Sequence, residues 1–496
     1  MRYWLILLSC IFPLLLSAQL KHDNIWLLGY HPEPGFPDPI LGGTMINFNE
    51  APPDTSRFDI PIRFNAIAMI SDSNGQLLFY TNACQIINRN HVLMENGDSI
   101  NPGLYHDDYC AGGYPLYQGV IILPLPEKPG MYILFHIKKQ DTGTLRELLY
   151  SVIDMNTPDN LGKVVEKNQV LLVGDLADMM TVVRHGNGRD WWVVLPKDAS
   201  NHYYLFMVTP GGVTGPETKQ SGVAWNYKDW AGQSVFSPDG SKYARVNPFN
   251  GLHLFRFDRC SGEFSAPLKI TFPDDTISSS GAAFSPNSRY LYVSASKKVY
   301  QFDTEAANVA ASKQTVAVYD GYESPFGTRF FQQMLGPDGK IYITTPSSNN
   351  VLHVIHQPDE AGAACDFEQH GLILPTLHAF MAPNFPHFRL YDKPGSPCDT
   401  LGIDAPTVAA PEPPADKRAG LQVAPNPAAW EVTLSYPGDI TGTWRITAAS
   451  GQVLRSGNWS GTQTLVRVHD LASGVYFATL IPDKGQPVVT KFLLVR

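Results

Sequence analysis

Several catalytic signatures are missing from this chain. It has no Cys-x-x-Cys at zinc spacing and no His-Glu-x-x-His, which removes the commonest zinc-ligand patterns. It has no Gly-x-Ser-x-Gly; Gly232-Gln-Ser234-Val lacks the second glycine that a hydrolase nucleophile turn needs. Gly186-Asn-Gly188 is followed by no helical pattern, so it is not a dinucleotide loop. Asp72-Ser-Asn-Gly75 lacks further carboxylates at calcium spacing and reads as a plain turn. Charge is also scarce. Only 17% of residues are charged and the net charge is −9, which argues against a nucleic-acid partner. No helical period runs for long. After the first 16 residues, no segment is apolar enough to cross a bilayer.

What is abundant is turn chemistry: 41 Gly and 40 Pro in 496 residues. With 44% hydrophobic residues, this composition suits a turn-rich all-β protein. Residues 1–18 read as an export signal. Arg2 supplies the positive end, Trp4 to Leu16 the apolar run, and Ser17-Ala18 the small residues before a cut at Gln19. Export permits disulfides among the remaining Cys84, Cys110, Cys260, Cys365 and Cys398. Cys84 and Cys110 lie in one repeat unit and could close a short loop. Cys365 and Cys398 flank the last apolar segments and could tie the tail down, leaving Cys260 over.

Three segments rhyme: Phe236-Ser-Pro-Asp-Gly240, Phe284-Ser-Pro-Asn-Ser288 and Leu335-Gly-Pro-Asp-Gly339. A repeat near fifty residues matches a propeller blade of four strands. Relaxing the pattern gives six units, with further turns at Asn74-Gly75, Pro129-Gly130 and Asn187-Gly188. Second strands such as Trp191-Trp-Val-Val-Leu195 are apolar without alternation, so both faces should be covered. Blades packed face to face do this; a sandwich with one wet face does not. Ile25 to Tyr30 reads as a second strand with no first, and Phe385 to Leu390 as a first strand with no second. Joined, they predict a seven-bladed β-propeller over 19–391, closed by strands from both ends, with six blades as the alternative. Residues 392–420 read as a Pro-rich linker. Residues 421–496, with Val432 and Leu434 alternating inward, predict a small C-terminal β-sandwich.

The last domain carries a resemblance. Ala424-Pro-Asn-Pro-Ala428, Ser450-Gly-Gln-Val-Leu454, Leu471-Ala-Ser-Gly-Val-Tyr476 and Lys491-Phe-Leu-Leu-Val-Arg496 come in that order. Together they resemble the C-terminal sorting domain (type A) of the type IX secretion system of Bacteroidota. The resemblance gives Pro425, Asn426, Pro427, Gly451, Gly474, Tyr476 and Lys491 as sorting-signal positions. It implies export to the periplasm, recognition by the secretion machinery, and release or anchoring at the outer cell surface. Thr447-Ala-Ala-Ser450 departs from the family's Asp-containing turn. The Phe-Ser-Pro-Asp-Gly turns also resemble WD40-like and TolB-like propellers, which implies a fold and no activity.

Propeller ligands sit at the central mouth, among loops entering the innermost strands. Candidates there are Trp225, Tyr227, Trp230 and Gln233 before one unit, Arg329 and Gln332 before another, and His387 in the closing segment. Aromatic and amide groups of this kind bind sugar rings or peptides. The bland reading is that the aromatics fill gaps between blades and the polar groups bond loop backbone. His106-Asp107-Asp108 makes a poor metal cluster by itself, since neighbours on a strand point apart and other loops would have to complete the shell; no metal or cofactor is expected. The sequence thus favours a secreted or surface propeller that binds a glycan, a peptide or a surface protein. The alternative is a hydrolase or lyase with its site at the channel mouth.

Overall fold

The computed structural model describes residues 20–31, 40–140, 146–225, 231–272, 278–378, 380–403, 421–426, 428–448, 452–483 and 488–495. The expected export signal at 1–18, Tyr227, Trp230, Pro427 and Gly451 lie outside them. The chain divides into two compact units, Met1–Ala405 and Pro406–Arg496.

The first unit is a β-propeller. Seven antiparallel sheets succeed one another among the described residues, here numbered I to VII. Sheet I holds Ile25–Tyr30, Gly42–Asn47 and Asp54–Phe58; sheet II holds Ala68–Ser71, Leu77–Thr81 and Ile86–Asn88. Sheets III to VII have four strands each and begin at Val120, Thr181, Gln233, Ser280 and Gln333. Sheet I packs on sheet VII through Trp26 and Tyr342, whose rings are 5.5 Å apart. The unbroken apolar strands are covered on both faces, as expected: Trp191–Pro196 and Tyr290–Ala295 are buried at every position.

Two of the three rhyming turns share one set of side-chain bonds, and the third has Gly336 in place of the serine. Ser237 Oγ donates to Asp239 Oδ1 (2.5 Å) and accepts from Lys242 N (3.0 Å); Ser285 does the same with Asn287 (2.7 Å) and Tyr290 N (2.8 Å). The last turn position needs positive φ, supplied by Gly240 (69°), Gly339 (80°) and, without glycine, Ser288 (63°). The turns also join neighbouring sheets. Asp239 N donates to Ser288 Oγ (3.1 Å) and Asn287 N to Asp359 Oδ1 (2.9 Å).

The closing segment differs from expectation. Phe385 to Leu390 forms no strand and pairs in no ladder. It runs instead as a strap along the channel axis. Ala382 N donates to Gln332 Oε1 (3.0 Å), and Asn384 Nδ2 donates to Val120 O (3.1 Å) and Met180 O (3.0 Å). Phe388 is fully buried against Trp191 and His22. Arg389 pairs with Asp23 (2.8 Å) and bonds Asn24 (2.9 Å), just before sheet I. The proline in Phe385-Pro-His has no amide hydrogen to give a ladder, while its side-chain partners come from several sheets at once.

The strap continues into the stretch read as linker. Lys393 N donates to Gly186 O (2.8 Å), Asp392 is buried, and Cys398 is bonded to Cys260 with their Cα atoms 5.6 Å apart. This corrects the expected Cys365–Cys398 pair. Cys365 is a free thiol buried in sheet VII's core, and Cys260 is not left over. Cys84–Cys110 forms, with Cα atoms 5.8 Å apart.

The tail is a five-stranded antiparallel sheet folded over its own core. Val432, Leu434, Ile446, Trp459 and Phe492 are buried there, following the alternation. Asn426 Oδ1 accepts from Leu493 N (2.9 Å), Tyr476 Oη donates to Ala472 O (2.7 Å), Gly474 opens the fourth strand, and Lys491 lies opposite Phe477.

Candidate functional site

The loops entering the innermost strands do surround a cleft, of about 770 Å³. Tyr117 lines it from the loop before sheet III, Ser278 and Ser279 from that before sheet VI, and Tyr319, Glu323, Phe326, Arg329 and Phe331 from that before sheet VII. Phe380 completes it, so the top of the strap forms part of its wall.

Arg329 is exposed, and among the described residues its guanidinium has no hydrogen-bond partner. Phe326 is 56% exposed and presents its ring in the cleft lining. Tyr117 stands edge-on to Phe331 at 5.7 Å. Burial, aided by the nearby Asp178 carboxylate, pushes the Tyr117 phenol up to about 12, so it stays a neutral donor. Tyr319 Oη donates to Tyr322 O (2.8 Å), and Ser279 Oγ to Phe330 O (3.2 Å); these bonds stiffen the loop. Among its described lining residues the cleft thus offers aromatic faces, several hydroxyls, one cation, Arg329, and one carboxylate, Glu323.

Arg329 alone of the described sequence candidates reaches this cleft. Gln233 is buried; its Nε2 donates to Gln333 O (2.7 Å) and its Oε1 accepts from Gln333 N (2.9 Å) and Ala282 N (3.1 Å). Gln332 donates to Gly232 O (3.3 Å) and accepts from the strap. Gln118 ties Ser234 by both amide atoms (2.7 and 3.0 Å). These glutamines stitch the innermost strands together across the axis, replacing backbone bonds that neighbouring sheets cannot make. His387 is half-buried beside Phe236 O (3.1 Å), and desolvation lowers its pKa. Trp225 is 2% exposed, with the Arg245 guanidinium stacked 3.7 Å from its ring centre. The channel below is nearly full. A void of about 30 Å³, lined by Gln118, Gln333, Asn384 and His387, has room for a water or two.

The sequence points to both loops, Tyr114 to Gln118 and Tyr322 to Gln333, as mouth loops, but not to Tyr117, Phe326 and Phe331 as a group. They come from two loops more than 200 positions apart, and no local pattern links them.

Residues 422–496 match the family described as "Secretion system C-terminal sorting domain". The tail is therefore a type IX sorting domain, and the protein is secreted or displayed at the cell surface, through contact with the secretion machinery. No helix among the described residues is long and apolar enough to cross a membrane. No curated protein matches the chain. Among solved structures, a protein from Lactobacillus plantarum is 12% identical over 72% of this chain and 98% of that one, with a TM-score of 0.43. The periplasmic gluconolactonase of Pseudomonas aeruginosa is 11% identical over 72% and 99%, TM-score 0.41. The Cps50 (Swd1) β-propeller domain of Myceliophteria thermophila is 10% identical over 62% and 88%, TM-score 0.36.

Proposed function

We propose that this exported propeller, its seven sheets taken as seven blades, is a binding module that takes an acidic oligosaccharide into the mouth cleft. The observation that carries this reading is Arg329. Among the described residues it is a guanidinium without a partner, in a cleft that also presents Tyr117, Phe326 and Phe331. A guanidinium suits a carboxylate, aromatic faces suit the apolar side of a sugar ring, and the hydroxyls of Ser278, Ser347 and Tyr319 suit its polar edge. The hydrolase reading has less support. Two-carboxylate glycoside chemistry needs a second acid across the cleft, and Glu323 is the one carboxylate among its described lining residues.

The test is a glycan and peptide array probed with chain 19–496, followed by titration calorimetry of each hit. Uronate-bearing glycans are expected to bind. Arg329→Ala should weaken them by roughly tenfold to a hundredfold, the worth of one charge-assisted hydrogen bond. Binding that ignores Arg329→Ala and Phe326→Ala sinks the assignment, as does an array silent for every acidic sugar. Peptide-only binding would transfer the cleft to another ligand class.

A further inference from the structure

A second cleft, of about 490 Å³, opens among the loops beside sheet II. It is lined by Asn82, Gln85, Arg63 and His31, and by Cys84, His106 and Cys110. The last three bring one ligand atom each to within 4.8 Å of one another. Three features place them. Cys84 is pinned beside the second strand of sheet II, its N–H donating to Asn82 Oδ1 (3.0 Å) and its C=O accepting from Ile100 N (2.9 Å). His106 and Cys110 stand four residues apart at the short helix Leu104–Tyr109, which puts them on one side of a helical turn. His106 Nδ1 lies 3.1 Å from Asp107 Oδ1, the carboxylate–imidazole pairing that fixes the ring of a metal-bound histidine.

We propose that opening the Cys84–Cys110 disulfide converts this corner into a zinc site held by Cys84, His106 and Cys110. The oxidised pair has no thiolate to give, so cross-link and metal site exclude each other. Opening it needs two electrons, for which a thiol or phosphine reductant suffices. Two thiols RSH become RSSR, or a phosphine takes oxygen from one water to become the phosphine oxide, and the cystine becomes two cysteine thiols. Zinc then displaces both thiol protons, and two thiolates with a neutral imidazole cancel its charge. Tetrahedral zinc with bonds of about 2.3 Å to sulfur needs the sulfurs roughly 3.8 Å apart, a small opening of side chains whose Cα atoms already stand 5.8 Å apart. Three protein ligands leave a fourth position for water from the cleft that the same residues line.

The test uses chain 19–496 carrying Cys260→Ser and Cys398→Ser, so that the buried Cys365 is the one remaining thiol outside the site. After phosphine reduction, zinc is titrated against a chromophoric chelator, and Co2+ is added separately as an optical probe. The reduced chain should bind one zinc and show thiolate-to-cobalt charge transfer, and the oxidised chain neither. Cys84→Ser should abolish the band, and His106→Ala should weaken zinc at least tenfold, with thermal melts confirming that each variant is folded. If reduction unfolds the chain, the same protein made in a reducing cytoplasm and purified under argon is assayed for bound zinc. A reduced chain that holds zinc no better than Cys84→Ser, or a site indifferent to His106→Ala, overturns the proposal and leaves a structural disulfide only.

Discussion

Single side chains in this protein are often polar groups put to structural use. His136 is fully buried; its Nδ1–H donates to Asn101 Oδ1 (2.7 Å) and its Nε2 accepts from Ser151 Oγ (3.0 Å). His353 is equally buried, with Nε2 at Thr328 O (2.9 Å) and Nδ1 at His370 N (3.2 Å). Burial drops both to a pKa of about 3, from 6.5 for the unfolded chain. The unfolded state therefore takes up protons below pH 6.5 that the folded state refuses until about pH 3. This part of the stability is complete above 6.5 and shrinks as pH falls toward 3. At pH 5 it should have lost up to about 2 kcal/mol per histidine. Urea midpoints at pH 7.5 and 5 would register this, and His136→Gln, which cannot charge, should flatten the slope. Trp225 makes the same point about packing. Trp225→Ala should cost about 3–5 kcal/mol through the cavity left beside Arg245, read as a lower melting temperature with ligand affinity unchanged once folded.

At the level of elements, the strap decides most. Continuous apolar runs were enough to place the buried second and third strands of the sheets, because period and burial are local properties, while the more exposed fourth strands, such as Gly212–Gln220, carry no such run. Apolar runs failed at Phe385 to Leu390. An apolar stretch that fills a channel looks the same in sequence as one that pairs at a sheet edge. The strap's exit is held by Cys260–Cys398, which spans 138 positions. Cys398→Ser should lower stability by up to about 5 kcal/mol, since a long loop is released in the unfolded chain. Chemical denaturation measures it. Non-reducing peptide mapping should recover Cys260–Cys398 and Cys84–Cys110, with Cys365 alkylated after unfolding.

Across the whole molecule, function is divided along the chain. The tail folds on its own core and carries the address. The propeller presents the cleft. Removing 421–496 should leave the propeller folded, by circular dichroism of the purified protein, yet retained inside the producing cell, by fractionation of culture supernatant and cell extract. Appearance of the shortened chain in the supernatant at the full-length level would contradict the assignment.

The sequence by itself was sufficient for the sorting tail, the all-β class, the buried middle strands and the turn chemistry of the Phe-Ser-Pro-Asp-Gly repeat. Each of these depends on short motifs of neighbouring residues, or on the order and spacing of such motifs along the chain. Tertiary structure alone decided which cysteine Cys398 meets, that Gln233, Gln332 and His387 brace the channel, and that Arg329 stands with Tyr117 and Phe326. Those outcomes join residues 116 positions apart, as in Gln118 with Ser234, or 264 apart, as in Asn384 with Val120. A closed ring brings distant loops to one axis, and no local periodicity records which side chains will meet there.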